Sequence, residues 1–363
     1  IHELLWEGFK NTRKKEKQVS EKKEKRKISV FLKIIIVLLI ILALIIGVAF
    51  FYVKGKLDKI QKVELPSDKD LGITETTAKN LTGYRNIAIF GVDSRSDDYG
   101  VGNRSDCIII ASINNETGAI KLISVYRDTY VNIEGHGLDK ITHAYSYGEA
   151  PLAVKTLNTN LDLNINEFVT VNFDSVAEAV DQLGGVQLTI TSDEIKYING
   201  YIDETSKVTG KTSKHITEPG TYTVDGVQAV AYSRIRYTDG GDYKRTERMR
   251  TVIEAMFSKL KTKNLNQINS FADKILPHVY TNISATDIIS MVPSMSKYKV
   301  TESIGWPYDT KGKTMDRWYG IPITLESNVT QLHKEAFGEE NYTPSDIVKS
   351  ISESIIKKTG YTK

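Results

Sequence analysis

Arginine is scarce in this 363-residue chain, and its placement is uneven. Lysines number 36 and arginines 12, so lysine serves as the ordinary surface cation. Eight of the arginines nevertheless fall into three short windows. They are Arg95 and Arg104 in GVDSRSDDYGVGNRSD, Arg127 in SVYRDTY, and Arg234, Arg236, Arg245, Arg248 and Arg250 in YSRIRYTDGGDYKRTERMR. A planar guanidinium holds two phosphate oxygens at once, which an ammonium does not. The competing use, pairing with nearby aspartates or a solvated helix face, weighs more at Arg248 and Arg250 than at Arg104, Arg127, Arg236 and Arg245. Carboxylates accompany the windows. Asp93 and Asp106, together with phosphate oxygens and water, suit Mg²⁺; their other use is to balance Arg95 and Arg104. Asp242, three residues before Arg245, is either a helix N-cap or a general base. Lys140, in LDKITHAY, is a further candidate cation.

Elements that would position these groups are readable in outline. Asn86 to Asp93 is a short apolar run ending at Gly, Val and Asp, which predicts a buried strand. Two more apolar runs, Cys107–Ile113 and Ala119–Val125, flank Asn114-Asn115-Glu116-Thr117-Gly118 and predict a hairpin. Helical spacing covers Glu149–Leu161 and Asp174–Leu183, with strand-like Glu167–Asn172 between them and Val186–Ile190 after Gly184-Gly185. Residues 191–222 are polar and predict a surface excursion. Helices are expected at Asp225–Ser233, Asp242–Leu260, Ser284–Ser296, Thr324–Phe337 and Pro344–Lys358. Strands alternating with helices indicate an α/β fold with a mixed sheet covered on both faces. The arginine windows lie at ends of these elements, so they are expected to converge on one rim of the sheet, where open α/β sheets place ligands.

Composition narrows the classes further. A hydrophobic content of 40% and a charged content of 26% suit a chain that buries a core. The formal charge of +3 is a sum of unlike parts. Residues 1–33 hold 11 Lys/Arg against 5 Asp/Glu, and residues 54–363 hold 37 against 40. The large portion is slightly acidic, which disfavours a nucleic-acid partner. One cysteine, Cys107, excludes an internal disulfide framework and a thiolate zinc cluster. No G-x-S-x-G or H-E-x-x-H is present. Gly210-Lys211-Thr212 and Gly312-Lys313-Thr314 mimic the end of a phosphate-binding loop, but Thr205 and Pro307 stand where its first glycine belongs. Between the two portions, residues 34–53 form an uncharged run of 20, the length of a membrane-spanning helix. It is too long for a signal-peptide core and lacks a cleavage site. The basic flank predicts a cytoplasmic N-terminus and an extracellular remainder, in a single-pass protein of the cell membrane, with a secondary option of binding anionic membrane lipid.

GVDSRS, NRSD, KLISVYRDTYVNI, LDKITHAYSYG, VNFDSVAEAVDQLGGV and DGVQAVAYSRIRYTDGGDYKRTERMR, in this order, resemble the LytR–CpsA–Psr family of bacterial cell-envelope proteins. The resemblance runs from about Tyr84 to Lys261. It implies a three-layer α/β/α domain that encloses a polyprenyl tail and holds the lipid's pyrophosphate at the pocket mouth. It further implies transfer of a glycopolymer, of the capsular polysaccharide or wall teichoic acid type, from an undecaprenyl-pyrophosphate carrier to peptidoglycan. On this likeness Asp93 and Asp106 match the magnesium-binding aspartates. Arg104, Arg127, Arg236 and Arg245 match the pyrophosphate-binding arginines, with Arg234 adjacent, and Asp242 matches the aspartate before the last arginine motif. Met249 and Cys107 depart from the glutamine and threonine common at their positions, and both read as packing residues.

The expected organisation is a basic tail (1–33), a transmembrane helix (34–53), a linker (54–83) and an external domain (84–363) with a motif-bearing core to residue 261. The expected activity is a Mg²⁺-dependent phosphotransferase in which Arg127, Asp242 and Arg245 act on the reacting groups. Arg95, Arg104, Lys140, Arg234 and Arg236 join Arg127 and Arg245 in binding the pyrophosphate. Two alternatives stand beside it: a lipid-pyrophosphate-binding regulatory protein without turnover, and a polyprenyl-pyrophosphate pyrophosphatase.

Overall fold

The computed structural model describes residues 61–362 except 95–98, 285–286, 288–289 and 292–293. The basic tail, the apolar run 34–53, residues 54–60 and Arg95 lie outside the described residues. Among the described residues no helix is long and apolar enough to cross a membrane.

β1 (Gln61–Lys62) and the short α1 (Glu75–Asn80) precede β2 (Tyr84–Val92). Residues 61–83 are therefore part of the fold rather than a free linker. Leu71 and Leu81 are buried, and β1 pairs in parallel with a later strand. β3 (Ser105–Asn114) and β4 (Ala119–Val125) form the expected hairpin. Its turn is set by Asn114, whose Oδ1 accepts from the amides of Glu116 and Thr117, and by Gly118 at φ +73°.

A small hairpin, β5 (Tyr130–Ile133) and β6 (Gly137–Lys140), leads into α2 (Thr142–Leu161). α2 starts seven residues before the expected Glu149, because its two parts are joined across non-helical Gly148 and Glu149, with Pro151 just beyond. β7 (Glu167–Val171) is followed by α3 (Phe173–Gln182) and β8 (Val186–Ile190), close to expectation.

Residues 191–222 depart from the expected excursion. They form α4 (Ser192–Thr209) and most of β9 (Gly220–Val224), which pairs with β8. Thr191 and Glu194 make a capping box, and Ile198 and Ile202 on one face are buried. α5 (Gly226–Arg234), α6 (Gly241–Lys261) and α7 (Leu265–Ile275) follow, then β10 (Tyr280–Thr281). Six of the thirteen residues of the expected helix 284–296 lie outside the described residues. The chain ends with β11 (Lys299–Trp306), the hairpin β12 (Thr310–Thr314) and β13 (Trp318–Pro322), α8 (Leu325–Phe337) and α9 (Asp346–Thr359).

The central sheet has the order β1-β10-β7-β2-β3-β4-β11 and mixes parallel with antiparallel pairs. Alternation along β2 and β3 sends side chains to two cores. Ala88, Phe90, Ile108 and Ile110 pack with Tyr145, Val154, Val329 and Ile351 of α2, α8 and α9. Ile87, Ile109 and Leu122 pack with Met249, Ile253 and Phe257 of α6 on the other face. The result is an α/β fold with a mixed sheet between two helical layers, and one rim of that sheet carries the arginine windows.

Candidate active site

The site begins with an irregularity in the sheet. Gly91 pairs with Cys107 and Val92 with Ser105, so Asp106 is the extra residue of a β-bulge. Bulges re-aim side chains at sheet rims, and here the bulge directs a carboxylate out of the ladder. Glycine is required opposite it. A Cβ on Gly91 would stand 2.8 Å from Cys107 Cβ. Asp93 follows the end of β2 and lines the same cleft as Asp106.

Three arginines reach Asp106 Oδ2. Arg127 Nη1 lies at 2.7 Å, Arg236 Nη2 at 3.3 Å and Arg245 Nη1 at 3.7 Å. They arrive from different elements. Arg127 follows β4, and its carbonyl accepts from Thr142 N at the start of α2. Arg236 is on the loop between α5 and α6, and Arg245 is in the first turns of α6. Asp242 Oδ1 completes the group at 3.6 Å from both Arg236 Nε and Arg245 Nη2. The N-cap of α6 is Gly240, so the capping role for Asp242 is ruled out.

Arg245 is the unusual member. It is only 2% exposed, and its Nε and Nη2 have no hydrogen-bond partner among the described residues. Burial pushes its pKa below the ordinary arginine value; Arg236 and Arg127 add to this, and Asp242 and Asp106 oppose it. A buried guanidinium with unused donors is matched by an incoming anion.

The other expected residues divide. Lys140 Nζ pairs with Asp128 at 2.8 Å, and Asp128 lies 3.8 Å from Arg127 Nε, so Lys140 joins the group through that aspartate. Arg234 lines the cleft but turns toward α4. It donates to Thr205 Oγ1 at 3.0 Å, pairs with Glu204 at 3.2 Å and stacks over Phe173 and Tyr201. Arg104 is exposed and makes no ion pair among the described residues; the structure does not bring it to the cluster. Arg248 is structural. Buried, it pairs with Glu194 at 2.7 Å and donates to Ile235 O and Thr238 Oγ1, holding the loop that carries Arg236.

Two cavities meet at this point. A polar cleft of about 530 Å³ is lined by Asp93, Asp106, Arg234, Arg236 and Arg245, and by Tyr197, Tyr201 and Glu204 of α4. The α4 wall was missed in the sequence because residues 191–222 read as polar surface. Thr191-x-x-Glu194 followed by Ile195, Ile198 and Ile202 is the signal that marks it. Behind the cleft lies an apolar cavity of about 220 Å³ lined by Ile89, Val176, Val230, Val252, Met256 and Phe271, among others. Asp106, Phe173 and Met249 border both. Cys107 also lines the apolar cavity, where burial pushes its thiol up to about 12. Cys107 and Met249 are packing residues, as expected.

No group of three or more metal-ligating side chains occurs among the described residues. Two carboxylates on adjoining strand ends, facing one cleft, nonetheless fit Mg²⁺. This ion takes one or two protein carboxylates and completes its shell with phosphate oxygens and water. All three arginine contacts fall on Asp106 Oδ2, which leaves Oδ1 outside those ion pairs.

Comparison with known proteins identifies the family. The family model of LytR–CpsA–Psr matches residues 48–332. The chain belongs to this family. TagT of Bacillus subtilis (strain 168), a polyisoprenyl-teichoic acid–peptidoglycan teichoic acid transferase, is 30% identical over 309 residues, covering 82% of this chain and 92% of TagT. TagU of Enterococcus faecalis, a transferase of the same name, is 33% identical over 256 residues, covering 67% of this chain and 77% of TagU. The solved structure of TagT bound to LI-WTA has a TM-score of 0.53 at 26% identity, covering 77% of this chain and 92% of that one. Membership in the LytR–CpsA–Psr family is consistent with the α/β fold and its mixed central sheet.

Proposed function

We propose that this LytR–CpsA–Psr protein is a phosphotransferase that moves a glycopolymer from an undecaprenyl-pyrophosphate carrier to peptidoglycan, on the outer side of the cell membrane. One observation carries the reading: a cleft with unspent guanidinium donors adjoins an apolar cavity, with Asp106, Phe173 and Met249 lining both. A ligand that is doubly anionic at one end and hydrocarbon at the other matches that sequence of environments. The naming of TagT and TagU as teichoic acid transferases supports the reaction class.

In this reaction an acceptor hydroxyl oxygen of peptidoglycan forms a bond to the sugar-linked phosphorus. The bond from that phosphorus to the bridging oxygen breaks, and undecaprenyl phosphate leaves. Arg127, Arg236 and Arg245 orient the pyrophosphate and offset the charge that gathers on the leaving oxygen. Asp242, held between Arg236 and Arg245, is the candidate acceptor of the hydroxyl proton. Phe173 and Met249 keep the first isoprene units in the apolar cavity and water out of it. Asp93 and Asp106 would hold Mg²⁺, which when bound neutralises phosphate oxygens. Water in place of the hydroxyl gives pyrophosphatase activity at the same site.

The test is turnover by the full chain in a membrane mimic. The substrates are a defined undecaprenyl-pyrophosphoryl glycan and peptidoglycan oligomers, with and without Mg²⁺. Wild type is expected to form covalent product. Asp106→Ala and Arg127→Ala are each expected to lower the rate by about 10²-fold or more, the usual cost of removing an electrostatic stabiliser. Binding of the lipid without product in any condition would favour the regulatory reading instead.

A further inference from the structure

A second, small groove enclosing about 30 Å³ lies beside the donor cleft. Tyr126, Arg127, Asp242, Tyr243, Thr310 and Trp318 line it, and it shares no lining residue with the cleft. Two ion pairs form the wall between them: Asp106 to Arg127 at 2.7 Å and Arg245 to Asp242 at 3.6 Å. Each joins a cleft residue to a groove residue. The groove also carries aromatic surface that the fold leaves uncovered. Trp318 is 44% exposed and Tyr243 is 40% exposed.

These rings are held in place. The Trp318 indole rests on Gly312 of the neighbouring strand, its Nε1 only 2.9 Å from where a Cβ would stand. One side of the ring is thus pressed on the hairpin. Tyr243 meets Tyr126 edge to face at 4.4 Å, and Thr310 of the same hairpin lines the groove with it. The hairpin is tied to the loop of Arg127, since Gly320 N donates to Asp128 O at 2.9 Å. Platform and arginine are therefore fixed relative to each other.

We infer that this groove is the acceptor subsite, in which Trp318 and Tyr243 stack on pyranose rings of a peptidoglycan glycan strand. The inference rests on the phosphotransferase reading above and adds where its second substrate binds. In-line displacement needs the attacking oxygen on the side of the phosphorus away from the leaving oxygen. With the lipid seated in the cleft and the apolar cavity, the groove is the neighbouring surface that reaches Arg127 and Asp242 from outside it. Sugars present C–H faces that gain dispersion and hydrophobic contact on an aromatic plane, while Asp242 and Thr310 offer polar atoms for their hydroxyls.

The experiment uses the full chain in a membrane mimic and two readouts. In the transfer assay, Trp318→Ala is expected to raise the KM for peptidoglycan oligomers about tenfold, the equivalent of ~1.4 kcal/mol. Cleavage of the lipid donor by water should stay unchanged, and Trp318→Phe should recover most of the loss. In the binding assay, acrylamide quenching is followed in a Trp6→Phe background, where Trp306 is buried and Trp318 is the accessible fluorophore. A peptidoglycan tetrasaccharide should protect Trp318 from the quencher. An unchanged acceptor KM in Trp318→Ala, or no protection of Trp318 by the tetrasaccharide, overturns the subsite. If wild type neither transfers nor cleaves the donor, the phosphotransferase reading fails on its own, and protection of Trp318 decides the subsite separately.

Discussion

Arg245 shows how one side chain is committed to a ligand. It sits 2% exposed with Nε and Nη2 unpartnered among the described residues, and its nearest carboxylates are at 3.6 and 3.7 Å. A lysine there keeps the charge and loses the fork. Arg245→Lys is therefore expected to lower kcat by about 10²-fold, with a thermal midpoint near that of wild type, as measured by turnover and calorimetry. Cys107 gives a second check. Its thiol is displaced by burial from the ordinary 9.0 to about 12, opposed by Arg245 and reinforced by Asp106. A folded-state value above the unfolded one means the unfolded chain releases the proton first, so stability declines as pH rises from 9.0 toward about 12. Denaturant midpoints measured across that window should fall less steeply in Cys107→Ala. The native thiol should resist thiolate-directed reagents at pH 8 and react once the chain is unfolded.

At the scale of elements, the site depends on two local devices. The bulge that aims Asp106 requires Gly91, since any Cβ there meets Cys107 Cβ at 2.8 Å. Gly91→Val is expected to cost ~1–3 kcal/mol of stability by overpacking and to lower turnover further by shifting Asp106. Denaturant melts and kinetics on the same samples separate the two effects. The second device is Glu194. It caps α4 through Oε2 on Thr191 N and pairs with Arg248 through Oε1 at 2.7 Å. Glu194→Ala strands a buried arginine, for which a loss of ~3–5 kcal/mol is expected, and frees the loop of Arg236. The hairpin of β3 and β4 was legible because its turn chemistry lies in five consecutive residues. α4 was not, since its few apolar positions are diluted by charge and only its cap announces it. The first part of α2, from Thr142, is hidden in the sequence because Gly148 and Glu149 interrupt the helical spacing before it continues to Leu161.

At the scale of the whole molecule, the formal +3 separates into a tail with a surplus of 6 and a remainder with a deficit of 3. That asymmetry underlies the proposed topology, with the tail inside and the transferase domain outside. A cysteine introduced at exposed Lys214 is expected to react with a membrane-impermeant maleimide on intact cells, while Cys107 stays silent through burial. Labelling only after lysis would reverse the orientation.

The sequence by itself determined the residue types of the site, the alternation of strands and helices, and a resemblance the family model bears out over residues 48–332. Those signals are local: periodicity, turn chemistry, and arginine where lysine would do. Only the tertiary structure decided which arginines act together. Arg236 and Asp106 meet across 130 residues of chain, while Arg104, two residues from Asp106, is exposed and makes no ion pair among the described residues. Likewise the junction of cleft and cavity, and the groove of Trp318, are made by strand register and by helices packing over both faces of the sheet. Such contacts follow from how distant surfaces bury one another, which no short stretch of residues specifies.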